Sequence, residues 1–277
     1  MNARLLWGKT DRRARAFTLV ELLVVVAIIA VLAALIFPAL RTAKINGFAA
    51  RSTSNLRQLV VANTTYAAEK GFYVPADEKR NNRRWHGGRV SASAPFDPAR
   101  GFLAEYLGKS RAVTPDPFFA EWLKDKESFE EGTGGYGYNA TYVGGTPGLA
   151  WNRDGTRQSA MPSQIDRPAT TMMFATTAYA RAEGVQEYPY AEPPFWDFGR
   201  GPAGYRPSPT VHFRYHGNAI VGWCDGHVSL EPRIVRPEGE NPHAGNAEAA
   251  NLGWFGPDDD NGYWNPRRPP IDEIKRR

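Results

Sequence analysis

Hydrophobic positions along this chain fall into three regimes. Residues 22–40 are nineteen uncharged, almost wholly apolar positions with no polar face. Over residues 45–70 the apolar side chains of Ile45, Phe48, Ala49, Leu56, Leu59, Val60 and Tyr66 recur at three- and four-residue spacing, while Arg51, Arg57, Gln58 and Lys70 fall on other faces. That is the period of an amphipathic helix. From Phe72 onward the pattern breaks into short apolar runs between Gly, Pro, Asn and Asp, the signature of strands, turns and loops. The expected fold is α+β: a long N-terminal helix whose first half spans a membrane, packed on a globular antiparallel-sheet head.

Residues 17–37 make 21 positions, about 31 Å of helix and long enough to cross a hydrocarbon core. Residues 17–70 make 54, roughly 80 Å if unbroken. Gly71 is the expected C-cap, and Pro38 and the Asn46-Gly47 pair are the expected bends. The organisation read from this is a leader at 1–16, a transmembrane helix at 17–40, its extramembrane continuation at 41–71 and a head at 72–277.

Within the head, residues 76–90 read as an exposed basic loop with Lys79, Arg80, Arg83, Arg84 and Trp85, and 102–107 as a short helix leading into Gly108. Residues 118–129 are a second helical stretch. Gly134-Gly135-Tyr136-Gly137-Tyr138-Asn139 reads as a glycine-rich turn into a strand; with no Lys-Ser/Thr following, it is no phosphate loop. Residues 170–177 read as a strand and 187–209 as a surface loop rich in Pro and aromatics. Residues 210–230 predict a three-stranded meander: a strand at 210–215, a turn at His216-Gly217-Asn218, a strand at 219–224, an Asp225-Gly226 hairpin turn, and a last strand at 227–230.

Charge sharpens the picture. Residues 1–16 hold Arg4, Lys9, Arg12, Arg13 and Arg15 against Asp11, whereas the remainder has 29 basic and 28 acidic residues. The basic excess belongs to the leader, so nucleic acid is not an expected partner. Cations ahead of an apolar helix predict a cytoplasmic N-terminus and a body on the far side of the membrane. A cleaved secretory signal fits poorly, because the apolar stretch exceeds the ~7–15 residues of such a core and carries Glu21 one turn in. The single cysteine, Cys224, rules out an intramolecular disulfide and cysteine-rich metal sites. With five histidines, no CxxC and no Walker loop, the chain is read as a non-enzyme without an organic cofactor.

The run Arg15-Ala16-Phe17-Thr18-Leu19-Val20-Glu21-Leu22-Leu23-Val24-Val25 resembles the N-terminal cleavage and methylation signature of type IV prepilins and type II secretion pseudopilins. The resemblance implies that prepilin peptidase cuts between Ala16 and Phe17 and methylates the new amine of Phe17. Ala16 departs from the Gly usual before the cut. Glu21 falls on the family's glutamate at the fifth mature position, and Pro38 where many pilins carry a helix-kinking proline. The partners implied are the peptidase, other pilin-like subunits and the bacterial inner membrane. A carboxylate in hydrocarbon costs roughly 2.5–3.5 kcal/mol on insertion scales unless paired; in an array of such helices the free amine of a neighbouring Phe17 is the nearest cation, which gives Glu21 an assembly role. The stretch Arg214-Tyr215-His216-Gly217-Asn218-Ala219 through Asp225-Gly226-His227-Val228 also resembles the His-x9-Asp-Gly region of a large class of prepilin-like proteins, with Tyr215 in the His position. The tail at 252–261 resembles that class too.

His212, His216, Asp225 and His227 raise an enzyme reading, but His216 and Asp225 flank a strand and stand near its opposite ends. Asp258, Asp259, Asp260 and Asn261 are the candidate metal ligands: clustered carboxylates and an amide suit calcium, and major pseudopilins resemble this in carrying a calcium loop near the C-terminus. A solvated turn is the competing reading, since the spacing is not an EF-hand. The reading from another class is a membrane-tethered module for glycans or envelope polymers, with Trp85, Trp151, Trp196, Trp223, Trp254 and Trp264 as stacking platforms.

Overall fold

The computed structural model describes residues 18–124, 130–147, 155–195, 206–234, 245–258 and 260–267. The leader, with Ala16 and Phe17, lies outside them. The chain divides into two compact units, Met1–Lys44 and Ile45–Arg277.

In the first unit the described residues are helical from Leu19, the beginning of α1 (Leu19–Lys70). Its apolar side chains from Leu19 to Leu40 are exposed, Ala33 alone being half-buried, with a mean hydropathy of 3.2 over the most apolar stretch. A helix with no polar face and no cover from the described residues has the length and composition to cross a membrane. Pro38 lies inside the helix, and its carbonyl accepts a hydrogen bond from Thr42 Oγ1 (3.2 Å).

In the second unit the later part of α1 buries Ser52, Leu56, Leu59, Val60, Ala62, Asn63 and Ala67. The helix stops at Gly71, whose φ of +83° and N–H to the Ala67 carbonyl (2.9 Å) make the expected left-handed cap. The main sheet has four antiparallel strands in the order β1 (Tyr136–Tyr138), β2 (Met172–Thr176), β6 (Asn218–Trp223), β7 (Val228–Pro232). One face, with Tyr138, Phe174 and Ile220, packs with Leu56, Leu59 and Val60 of α1. The other, with Met172, Ala175, Ala219, Val221 and Trp223, packs with Trp254, Phe255 and Trp264. Gly222 makes the close approach to α1 feasible: a Cβ there would stand 2.5 Å from Val60 Cγ2. Two small sheets complete the head, β3 (Tyr179–Arg181) with β4 (Gly184–Gln186), and β5 (Val211–His212) with β8 (Leu252–Gly253).

Several expectations need correction. The three-stranded meander does not form. Only β6 and β7 pair within it, while β5 pairs with β8 some forty residues on, and β6 takes β2 as its other neighbour. The turn before β6 is a two-residue one, with Tyr215 and Asn218 bonded to each other and φ of +52° at His216 and +78° at Gly217, a type I′ geometry. The Asp225-Gly226 turn is not: Gly226 alone has positive φ (+101°), its N–H reaches the Trp223 carbonyl (3.0 Å), and the Trp223 N–H reaches His227 O (3.0 Å). That is a three-residue loop with a glycine bulge.

The 76–90 segment is not an exposed loop. Lys79, Arg80 and Arg83 are exposed, but Trp85 is completely buried, with Arg84, His86 and Arg89 beside it. Trp85 Nε1 donates to the Pro189 carbonyl (2.8 Å), and Arg84 is paired with Glu130. The expected helix at 102–107 is a single 3-10 turn, Ala104–Tyr106. The second helix is α2 (Pro117–Leu123), capped by Asp116, whose Oδ1 accepts from Phe119 N (2.8 Å).

Candidate functional site

Thr18 and Glu21 open α1 as a reciprocal pair. Thr18 N–H and Thr18 Oγ1 donate to Glu21 Oε2 at 2.9 and 2.8 Å, and Glu21 N–H donates to Thr18 Oγ1 at 3.2 Å. This is a capping box, in which two otherwise orphaned backbone donors are satisfied by side chains. The sequence signal was the Thr-x-x-Glu spacing ahead of an apolar run. A charge carried into lipid is thereby partly met by donors of its own chain. The side chains of both residues are exposed, so the carboxylate is also open to a neighbour.

In the head, the titratable side chains gather at Asp116, which is fully buried. Its Oδ2 accepts from Ser52 Oγ of α1 (2.6 Å) and from Tyr215 OH (2.6 Å). Arg214 Nη1 stands 4.0 Å from Oδ1, while Arg214 Nη2 donates to the Gly135 and Thr177 carbonyls (2.7 and 3.1 Å). Tyr136 OH completes the cluster at 3.0 Å from Ser52 Oγ. Every partner is a structural element (α1, the α2 cap, the β1 strand and the arm before β6), so the cluster is a tie. Burial, aided by the nearby Asp116 carboxylate, pushes the Tyr215 phenol well above its ordinary pKa, which keeps it a hydrogen-bond donor.

The four polar residues that raised an enzyme reading do not come together. His212 lies buried on β5 against Phe119 and Trp122, His216 sits exposed in the turn before β6, and Asp225 and His227 lie in the loop after it. The six residues of β6 separate His216 from Asp225 by roughly 20 Å. Asp225 serves its own loop: Oδ1 accepts from His227 N (3.1 Å) and faces His227 Nδ1 at 2.6 Å, with the imidazole stacked on Trp223. Cys224 is buried, and desolvation holds its thiol protonated, its pKa pushed far up.

Two buried imidazoles have the opposite bias. Burial, then Arg84 and Arg89, lowers His86 well below the usual histidine pKa, and burial with Arg214 does the same for His212.

Of the candidate calcium ligands, Asp258 is exposed and Asp260 buried, with Asp260 Oδ1 accepting from Gly262 N (2.7 Å). Asn261 is a clamp. Its Nδ2 donates to Tyr142 OH (2.8 Å) and the Phe195 carbonyl (2.7 Å), and its Oδ1 accepts from Phe195 N (2.9 Å). Asp259 lies outside the described residues. Among the described residues no three His, Cys, Asp or Glu side chains converge.

The tryptophans proposed as glycan platforms are core residues: Trp85, Trp223, Trp254 and Trp264 are all buried. Their indole N–H groups are spent on the Pro189, Glu192 and Ala191 carbonyls and on Ser229 Oγ. Trp151 and Trp196 lie outside the described residues.

Residues 11–37 match the prokaryotic N-terminal methylation motif, the mark of prepilin-like proteins that prepilin peptidase processes and that assemble with other pilin subunits. The match runs into the exposed apolar start of α1, and the two together are consistent with a single-pass inner-membrane protein. No curated protein and no solved structure matches this chain.

Proposed function

We propose that the chain is a pilin-like filament subunit whose mechanism is assembly and not chemistry. The observation that carries the reading is the coincidence of the methylation motif at 11–37 with an apolar helix that no described residue covers and that opens on a Thr18–Glu21 capping box. Prepilin peptidase cuts between Ala16 and Phe17 and methylates Phe17. The helices then pack side by side, with Glu21 of one subunit paired to the Phe17 amine of another, and the periplasmic heads cover the outside. The finer reading is a pseudopilus of type II secretion or a related envelope system. The stretch from Tyr215 to Asp225-Gly226 serves there as a structural frame around β6, with no catalytic role.

Glu21→Gln is the discriminating variant, since glutamine at this position retains a capping box while removing the charge. The variant should insert and be processed normally yet be lost from the peptidase-dependent polymer that sediments from native cells. Glu21→Gln polymer in wild-type amount would refute the charge-pairing role.

A further inference from the structure

The head has a groove that the assembly reading leaves unused. It lies between α1 and residues 105–114 and has a volume of about 650 Å³, within the ~300–1,000 Å³ of small-ligand sites. Ser54, Arg57, Gln58 and Leu59 line it from α1, and Glu105 and Tyr106 from the other wall. The side chains of Ser54, Arg57 and Gln58 are exposed and make no hydrogen bond or ion pair to a described residue. Tyr106 belongs both to this groove and to an aromatic cluster. Its ring centre is 5.4 Å from that of Tyr66, which is 6.0 Å from that of Phe72; Phe72 is exposed and the two tyrosines are half-buried. Tyr106 OH donates to Glu69 (2.6 Å), which fixes the ring. Arg83 adjoins the cluster: burial raises the Tyr66 phenol pKa, and the nearby Arg83 charge opposes the rise. The Arg83 guanidinium carbon stands 4.2 Å from the Phe102 ring centre, and its Nε donates to the Arg100 carbonyl (3.0 Å). Its two outer nitrogens are thereby held ready for a planar oxyanion.

The parts select one chemistry. Polar side chains without an internal partner suit hydroxyl groups, half-exposed rings suit the flat apolar faces of sugar rings, and a preorganised guanidinium suits a carboxylate. The charge around the site is mixed, with Arg57, Arg83 and Arg100 against Glu69 and Glu105, all five exposed. Duplex DNA carries one negative charge per ~1.7 Å of its axis and would press phosphates against both acids. A uronic-acid polymer carries at most one carboxylate per sugar ring and leaves room for them. We infer that the groove and the Tyr66–Tyr106 cluster bind an acidic polysaccharide. A uronate carboxylate pairs with Arg83, a sugar ring stacks on the Tyr106 cluster, and hydroxyls along the groove bond to Arg57 and Gln58. The buried tryptophans take no part in this site.

This inference concerns the head alone and goes beyond the assembly reading, so each can fail without the other. The full-length chain in detergent is titrated calorimetrically with polygalacturonate, with its methyl ester (the same backbone without the charge) and with duplex DNA. Wild-type protein should bind polygalacturonate about tenfold or more tightly than either of the others. Arg83→Gln and Tyr106→Ala should each weaken that binding about tenfold, the size expected for a lost bond to a charged group or a lost stacking ring. Tyr106→Phe keeps the ring and should stay within about twofold. Arg57→Ala/Gln58→Ala changes only exposed helix positions, so it keeps the test open should Tyr106→Ala not fold, and it too should lose about tenfold. Equal affinity for the ester, or wild-type affinity in Arg83→Gln or in the Arg57/Gln58 variant, would overturn the site. Tighter binding of duplex DNA through Arg83 would assign the surface to nucleic acid instead. No binding of polygalacturonate, with loss of sedimenting polymer from native cells in Arg57→Ala/Gln58→Ala, would make the groove a contact between subunits. No binding with normal polymer would remove the inference and leave the assembly reading standing.

Discussion

Replacing Asp116 by alanine is the most demanding check on how this head holds its helix. The carboxylate receives three hydrogen bonds, from Ser52 Oγ, Tyr215 OH and Phe119 N, at 2.6, 2.6 and 2.8 Å, and faces Arg214 at 4.0 Å. Loss of the α2 cap costs about 1 kcal/mol. Leaving two buried hydroxyls without their acceptor costs about 1–3 kcal/mol each, and a buried guanidinium deprived of its counter-charge is the larger effect, about 3–5 kcal/mol when one partner of a buried pair is removed. These terms overlap, because Arg214 keeps two carbonyl acceptors and Ser52 keeps Tyr136. The expected loss is about 4 kcal/mol, a large share of the ~5–15 kcal/mol that stabilises a typical domain. Tyr215→Phe, which removes one bond and leaves the charge pair, should lose only about 1–1.5 kcal/mol. Urea unfolding of the full chain in detergent, followed by tryptophan fluorescence, reads both, because Trp85, Trp223, Trp254 and Trp264 are buried in the head. An Asp116→Ala loss no greater than that of Tyr215→Phe would refute the view of Asp116 as the node.

Two further expectations come from the same head. His86 and His212 are held neutral by burial, so the unfolded chain takes up their protons first: stability should be level above pH 7 and fall as pH drops below about 6.5, by at most ~1.4 kcal/mol per pH unit for each imidazole. The slope of the urea midpoint between pH 6.5 and 5.5 should shrink in His86→Phe and again in the double variant with His212→Phe, and an unchanged slope would count against the assignment. Asn261→Ala should cost about 3 kcal/mol through the lost bonds to Phe195 and Tyr142, while a chelator leaves the wild-type Tm unchanged; a chelator-induced fall in Tm reversed by calcium would instead assign an ion to this loop.

The helix was readable because its signals are local. Nineteen apolar residues and a glycine stop each act within a few positions of where they stand. The head was less readable because its decisive contacts join distant residues. Arg84 looks like a surface cation until Glu130 arrives from forty-six residues away, and nothing near His212 announces that its strand pairs with Leu252. β2 is buried at every position, so it lacks the alternation that marks a half-exposed strand. The Asn261 amide both donates and accepts, to partners at Tyr142 and Phe195 that nothing near it in the sequence announces. The tryptophans were legible as important and not as buried, since composition says nothing of which way an indole faces.

The departure of Tyr215 from the expected histidine follows from what each end of β6 does. After the strand, Asp225 and Gly226 act on their own loop, through one accepted N–H and one positive φ, and any chain making this turn needs little more. Before the strand, position 215 must reach Asp116 and, through it, Ser52 of α1; a phenol carries its hydroxyl farther from the backbone than either imidazole nitrogen. The tie belongs to a series along one face of α1, with Asn55 Nδ2 donating to the Pro115 carbonyl (3.1 Å) and Asn63 bonded to Tyr138 OH and Val74 N (3.1 and 2.8 Å). Leu56, Leu59 and Val60 supply adhesion between these ties, but apolar contact is non-directional and tolerates sliding along the helix axis. Hydrogen bonds at residues 52, 55 and 63 do not, because each fails within a few tenths of an ångström. These polar side chains, in an otherwise greasy seam, fix the axial register of the sheet on residues 52–63 of α1.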